Sequence, residues 1–195
     1  GTNVICSDKT GTLTENRMTL SRVVLADGEI ALEHSEQARF RRDDATVSAD
    51  EHAGLRAALE VGALCNAASL ETDDDTDVDR RGEGDPTEVA LLAGAAAADI
   101  RRDALLENQP ELRREEFDPG RMMMATFHRG DGGIRVAVKG APEAVLQVAT
   151  AVMTEDGEEP LDDAGRDDWR ERNEALAREG FRALALAEKT VSSDD

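Results

Sequence analysis

Apolar positions recur along this chain in short alternating runs and in steps of four, separated by clusters of turn-forming residues. Asn3-Val4-Ile5-Cys6-Ser7 reads as a short apolar strand that runs into the polar string Asp8-Lys9-Thr10-Gly11-Thr12-Leu13-Thr14. Residues 18–25 and 29–32 read as two strands around Ala26-Asp27-Gly28, a compact hairpin turn. Residues 33–50 are polar, carry no clear period and read as loop. From Asp50 to Ser69, Leu55, Leu59 and Ala63 share one face, which predicts an amphipathic helix opened by an Asp cap. It ends before an acidic surface loop over 71–79.

Asp85-Pro86-Thr87-Glu88 opens a second helix that continues through Ala-rich sequence to Ile100. Asp85 stands at the N-cap, Pro86 at the first helical position and Glu88 at the capping-box position. Residues 121–128 and 134–139 form a hairpin with Gly130-Asp131-Gly132-Gly133 as its turn. In the second of these strands Ile134, Val136 and Val138 share one face, so Arg135, Ala137 and Lys139 lie on the other, and Lys139 is displayed away from the aliphatic side. A short helix follows from Pro142. A longer one spans Asp162 to Arg178, with Gly180 as its C-cap, and residues 181–188 read as a last strand. Hairpins and helical pairs without regular strand-helix alternation predict an α+β fold built on an antiparallel sheet.

Charge narrows the function. Among 195 residues there are 43 Asp and Glu against 23 Lys and Arg, a net charge of -20. So acidic a surface repels phosphate backbones and anionic lipid, which argues against nucleic acid as a partner and against peripheral membrane binding. Any nucleotide must be captured by a local cationic pocket. The sequence holds no run of about 18 apolar residues and no signal pattern, so the chain as given is expected to be soluble. Only Lys9, Lys139 and Lys189 are lysines, and a surface dense in Asp and poor in Lys suits a protein working in high salt, where screening relieves self-repulsion. Cys6 and Cys65 lack zinc or redox spacing, which fits a reducing cytosol. His34, His52 and His128 are scattered, and the Asp run has Val78 and Gly84 where a calcium loop requires Gly and Glu, so neither zinc nor calcium is expected.

Asp8-Lys9-Thr10-Gly11-Thr12 places a carboxylate at the end of an apolar strand, followed by an amine, two hydroxyls and a glycine. A covalent phosphoryl acceptor needs that surrounding, because the nucleophile must sit where an incoming phosphate meets cations, hydroxyls and free amides. A bare Asp-Lys-Thr-Gly would merit no more than a strand ending in a turn. The full string from Ile5 to Thr14 resembles the phosphorylation signature of the P-type ATPases, cation pumps that pass through an aspartyl-phosphate. Gly84-Asp85-Pro86-Thr87-Glu88, Phe117-Asp118-Pro119-Gly120-Arg121, Lys139-Gly140-Ala141-Pro142-Glu143 and residues 180–187 resemble further motifs of that family, in the family's order.

The resemblance implies that Asp8 is phosphorylated, that Asp8 and the Thr10 carbonyl hold Mg2+, and that Lys9 and Thr12 hold the phosphate. It implies an ATP site in which Glu88 hydrogen-bonds adenine and Phe117 stacks on it. Lys139 and Gly140 form the back of the pocket, Leu184 lines it, and Arg182 and Arg121 reach the phosphates. Met122 stands where the family usually has Lys, and Leu64-Cys65-Asn66-Ala67 matches a segment of structural use. Residues 1–17 are then one strand of an incomplete haloacid dehalogenase-like phosphorylation domain with its linker. Residues 18–195 are the nucleotide-binding domain, an antiparallel sheet flanked by helical hairpins. The partners implied are ATP and the remaining phosphorylation, actuator and transmembrane domains, on the cytoplasmic face of a membrane. The chain by itself is expected to be a monomer that binds nucleotide without turnover, with Asp8 displaced. The rival readings are a haloacid dehalogenase-like phosphatase, weakened by Thr10 where such enzymes carry a second Asp, and a non-catalytic nucleotide-binding module.

Overall fold

The computed structural model describes residues 18–34, 38–70, 82–130 and 132–192. The strand expected at residues 3–7, the phosphoacceptor string and the acidic loop over 71–79 lie outside the described residues.

The chain opens with strands β1 (Arg22–Leu25), β2 (Gly28–Glu33), β3 (Arg39–Arg42) and β4 (Ala45–Thr46), paired in that order as an antiparallel meander. The first hairpin turns at Ala26-Asp27, as its pattern predicted, with Leu25 opposite Gly28. Residues 18–21 precede the strand rather than belong to it, and β3 and β4 occupy sequence that reads as loop. The arginines of β3 hide its one apolar anchor, Phe40, which is buried.

Helix α1 (Ala53–Leu64) follows. Its cap is His52 rather than Asp50: His52 Nδ1 accepts the Leu55 N–H at 3.2 Å, while Asp50 pairs with Arg56. This helix is the keystone, because it is buried on two sides. Leu55, Leu59 and Ala63 pack with Ile30, Leu32 and Phe40 of the meander and with Leu92 and Ala95. Val61, Leu64 and Cys65 pack instead on Met124 and Ala137 of the main sheet. At about 1.5–3 kcal/mol for each large side chain withdrawn from water, these two contacts fix α1 between the sheets.

Next come β5 (Ser69–Leu70) and β6 (Gly82–Glu83), which pair with each other, then α2 (Pro86–Ala96) and α3 (Arg102–Asn108). The main sheet is built from β7 (Glu111–Asp118), β8 (Met123–Gly130), β9 (Gly133–Gly140) and, after helix α4 (Pro142–Val148), hairpin β10 (Ala151–Thr154) with β11 (Gly157–Pro160), and helix α5 (Asp163–Arg178), the final strand β12 (Ala185–Val191). Its spatial order is β12-β9-β8-β7, with every pairing antiparallel. The fold is thus the α+β class expected. The β8–β9 hairpin turns where the glycine cluster placed it, between Gly130 and Gly133.

Helix α5 ends as its sequence demands. Gly180 adopts φ +88, the Phe181 N–H reaches the Leu176 carbonyl at 3.0 Å, and the Gly180 N–H reaches Ala177 at 3.0 Å. These two bonds are the Schellman pair that satisfies the last turn's carbonyls. The strand expected over 181–188 begins only at Ala185. Residues 181–184 therefore form a link between the helix cap and the sheet, and Arg182 and Leu184 do not alternate along a strand as expected.

Candidate functional site

The register of the main sheet lays Asp118, Met123, Gly140 and Ala185 side by side across four strands. All seven residues singled out for nucleotide binding are carried to this end of the sheet or face it. Phe117 and Arg121 flank the turn from β7 to β8, Lys139 and Gly140 finish β9, and Arg182 and Leu184 precede β12. Glu88 arrives from α2. The four residues assigned to phosphorylation and Mg2+, Asp8, Lys9, Thr10 and Thr12, lie outside the described residues.

Asp85 caps α2 as expected, accepting the Thr87 N–H at 2.8 Å and the Glu88 N–H at 3.4 Å. Burial pushes its carboxyl up, but the hydrogen bonds from Thr87 and Glu88 and the charge of Arg182 outweigh that and hold it below the ordinary carboxylate value. The expected capping box does not form. The Glu88 carboxylate turns away from the cap, accepting the Ala67 N–H at Oε2 (3.1 Å) and Lys139 Nζ at Oε1 (2.7 Å). A buried cation close by outcompetes a second bond at a helix terminus that is half solvated.

Lys139 lies on the face away from Ile134, Val136 and Val138, as expected, and is nevertheless only 6% exposed. Alternation shows which residues share a face, and Arg135, Ala137 and Lys139 do. That face, however, is the one α1 covers, with Ala137 fully buried and Arg135 paired with Glu60 (2.9 Å) and Glu188 (2.6 Å). The ammonium is admitted to this interior because Glu88 neutralises it.

Asn66, also fully buried, completes the arrangement. Its Nδ2 donates to the carbonyls of Gly62 (3.1 Å) and Glu88 (3.0 Å), and its Oδ1 accepts the Ala68 N–H (2.9 Å). This ties the end of α1 to the first turn of α2 and aims the Ala67 N–H at the Glu88 carboxylate. Arg102 closes the far side by donating to the Asn66 carbonyl at 2.9 Å. Sequence reasoning gave this segment a structural use and missed its link to Glu88. An Asn directly after an apolar helix end was the available signal.

The outer side of the site is open. Phe117 is 56% exposed and Met122 44% exposed. Asp118 organises the turn between them, accepting the Gly120 N–H at its side chain (2.7 Å) and the Met122 N–H at its carbonyl (2.6 Å). Met122 takes φ +53, uncommon for a residue with a Cβ. Its carbonyl accepts the Ala141 N–H at 2.9 Å and lies 2.6 Å from where a Cβ on Gly140 would stand, so that close approach requires the glycine. Arg121 is solvent-exposed, with Asp118 at 3.7 Å. Arg182 is exposed and forms no ion pair within the described residues.

Two other clusters bear on chemistry. Asp27, His52 and Glu155 come together with the spacing of a metal site that their sequence positions did not suggest. Arg42 already stands 2.6 Å from Asp27, and His52 Nδ1 is committed to the α1 cap, so the cluster is an ion-paired clasp. Cys65 is a buried thiol whose pKa desolvation pushes up to about 11, which leaves it unreactive.

With this geometry in hand, comparison with known proteins is informative. Residues 54–195 match the family model described as P-type ATPase, cytoplasmic domain N. The chain is 38% identical to the cation-transporting ATPase pma1 of Synechocystis, over 96% of this chain and 21% of that protein. It is 31% identical to calcium-transporting ATPase 1 of Bacillus cereus, over 98% of this chain and 19% of that protein. It is likewise 31% identical to calcium-transporting ATPase 1 of Lactococcus lactis, over 99% of this chain and 20% of that protein. The chain thus spans about a fifth of the length of these curated relatives. No helix among the described residues is long and apolar enough to cross a membrane. The α+β sheet, the convergence of its motifs on one end and the match over residues 54–195 agree: this chain belongs to the P-type ATPase family and carries its cytoplasmic domain N.

Proposed function

We propose that this chain is the ATP-binding catalytic segment of a cation-transporting pump. Residues 18–195 form the nucleotide domain and residues 1–17 the phosphoacceptor strand and linker. The reading rests on one observation: buried Lys139 is paired with the largely enclosed Glu88 at the sheet end that also carries Phe117, Arg121, Gly140, Arg182 and Leu184. The Glu88 carboxylate accepts from two donors, the Ala67 N–H and Lys139 Nζ, and keeps further lone pairs that can accept. A base that presents an exocyclic amino group, as adenine does, fits those lone pairs. Phe117 supplies a ring for stacking, Leu184 an apolar wall, and Arg182 with Arg121 the charge that meets the triphosphate.

In the whole pump Asp8 would accept the γ-phosphate, Asp8 and the Thr10 carbonyl would hold Mg2+, which would neutralise the phosphate charge, and Lys9 and Thr12 would hold the phosphate. The chemistry is phosphoryl transfer to a carboxylate, in which positioning and charge neutralisation do the work. Coupling to cation transport, the cytoplasmic-face location and the other pump domains as partners belong to the same reading. The isolated chain binds nucleotide without turning it over, and acid-stable phosphate on Asp8 after mixing with ATP would contradict that. A chain dense in Asp and poor in Lys supports the further reading that the protein works in high salt. Equal folding at low and high ionic strength would remove that part.

A backbone-amide NMR titration with ATP and with GTP in concentrated KCl tests the site. Selective ATP shifts at Glu88, Phe117, Lys139 and Arg182 are expected. A well-dispersed spectrum that responds to neither nucleotide would overturn the reading.

A further inference from the structure

Arg182 sits in the link between α5 and β12, residues 181–184, which is anchored at both ends. At one end Ala185 pairs with Gly140, beside Lys139. At the other, Phe181 closes the α5 cap through its N–H, and its ring lies under the guanidinium of Arg22, 4.5 Å from the centroid. Arg22 belongs to β1, in the other sheet. The same guanidinium reaches Glu179 at 2.9 Å and Glu29 at 3.4 Å, so it holds the helix cap and the β1–β2 hairpin together. A second tether runs parallel to it, as Arg172 of α5 donates to the Leu25 carbonyl at the end of β1 at 3.0 Å.

We infer that Arg22 is a positioning residue for the ATP site: by stacking on Phe181 and pairing with Glu179 it fixes the link that presents Arg182, and so ties the first strand of the nucleotide domain to the cation that meets the phosphates. The inference rests on the ATP-site reading above, through the role given to Arg182. Three features favour a positioning role over simple surface pairing. The guanidinium is about one-third exposed and holds three partners, it joins the β1–β2 hairpin to the α5 cap and the link after it, and it bears on the residue immediately before Arg182. Arg182 is near enough to Asp85 for its charge to act there, which places it on the α2 side, where Glu88 enters. A planar guanidinium can stack and pair at once, whereas a lysine ammonium would hold Glu179 with a poorer fit to the ring.

The test uses this chain with Arg22→Ala, Arg22→Lys, Arg182→Ala and the Arg22→Ala/Arg182→Ala double variant. ATP and adenosine affinities are measured by titration calorimetry, and the free proteins by amide NMR. Arg22→Ala is expected to shift the amides of residues 181–184 in the free protein and to weaken ATP about three- to tenfold, the range of one ordered cationic contact. It should leave adenosine unchanged. Arg22→Lys should recover part of the loss, and Arg22→Ala should add nothing in the Arg182→Ala background.

If Arg182→Ala weakens ATP but Arg22→Ala leaves ATP and the 181–184 amides untouched, the positioning role is wrong and the ATP site stands. If Arg182→Ala itself leaves ATP binding unchanged, the phosphate role of Arg182 falls and the inference falls with it. Equal losses for ATP and adenosine would show a general structural effect and would also overturn it.

Discussion

Glu88 and Lys139 meet with 13% and 8% of their side chains exposed, held by a backbone amide and a buried Asn, whereas Phe117 and Arg121 stand in solvent on a turn organised by Asp118. The inner half of the site is part of the core and exists before any ligand arrives. The outer half contributes little to folding and is free to engage whatever comes. A residue in the inner half therefore answers to two demands, stability and recognition, while one on the rim answers mainly to recognition.

Lys139→Met should separate the halves most sharply. It strands the Glu88 carboxylate in a buried place and is expected to cost about 3–5 kcal/mol in urea unfolding, with much of the loss recovered by adding Glu88→Leu. An unchanged midpoint in the single variant would mean the pair is effectively solvated, and the contrast would vanish.

A smaller effect should appear with pH at His128, buried on the same sheet face. Its Nδ1–H donates to the Gln109 carbonyl (3.1 Å) and its Nε2 accepts from the Thr126 hydroxyl (2.8 Å), a neutral tautomer. Burial lowers its pKa from the ordinary 6.5, only partly offset by the Gln109 bond and the charge of Glu111. The unfolded chain then takes up a proton near pH 6.5 that the folded one refuses, so stability should fall as pH drops through that value. Asp85 and Glu111, whose pKa values are lowered, lose their contribution only further down, below the ordinary carboxylate range. Denaturation midpoints of the wild type and a His128→Gln variant between pH 7.5 and 5 should differ in slope. Parallel curves would show that His128 is as free to protonate as a rim residue.

Least of all should Phe117→Ala disturb the fold, with an expected change within about 0.5 kcal/mol. Its ATP affinity should nevertheless drop by about 1–3 kcal/mol, the usual worth of an aromatic stacked on a base. A large fall in stability would place Phe117 with the core and redraw the boundary between the halves.

What the sequence disclosed follows the same physics. Asp85-Pro86 announced α2, the glycine cluster at 130–133 announced the β8–β9 turn, and Gly180 announced the end of α5, because each is a local requirement of the backbone. The residues proposed for nucleotide binding were picked out by motifs, and their meeting at one sheet end follows from a register set by pairings far apart in sequence. Other features were hidden for nameable reasons. Strand β3 carries arginines around a single buried Phe40, so its period is masked, and α3 and the β10–β11 hairpin were not foreseen. The Asp cap expected for α1 gives way to His52, and the pull of Arg56 on Asp50 is visible only in three dimensions. Period-two alternation placed Arg135, Ala137 and Lys139 together, yet it could not tell that α1 would cover that side.

Strand β7 closes the main sheet on one side with Glu111, Arg113, Arg114, Glu115 and Glu116, and its register with β8 slips both after Glu111 and after Glu115. An exposed edge of this length would otherwise be a template for strands of other molecules. In dilute buffer the net charge of -20 alone would keep molecules apart. At about 1 M salt that repulsion reaches only some 3 Å, and solubility must come from shape. The slips bend the edge out of the plane a partner strand would need, and Arg114–Glu111 and Arg113–Glu115 satisfy its charges within the strand itself. Protection against aggregation is thus written into backbone geometry, where no concentration of counterions can screen it away.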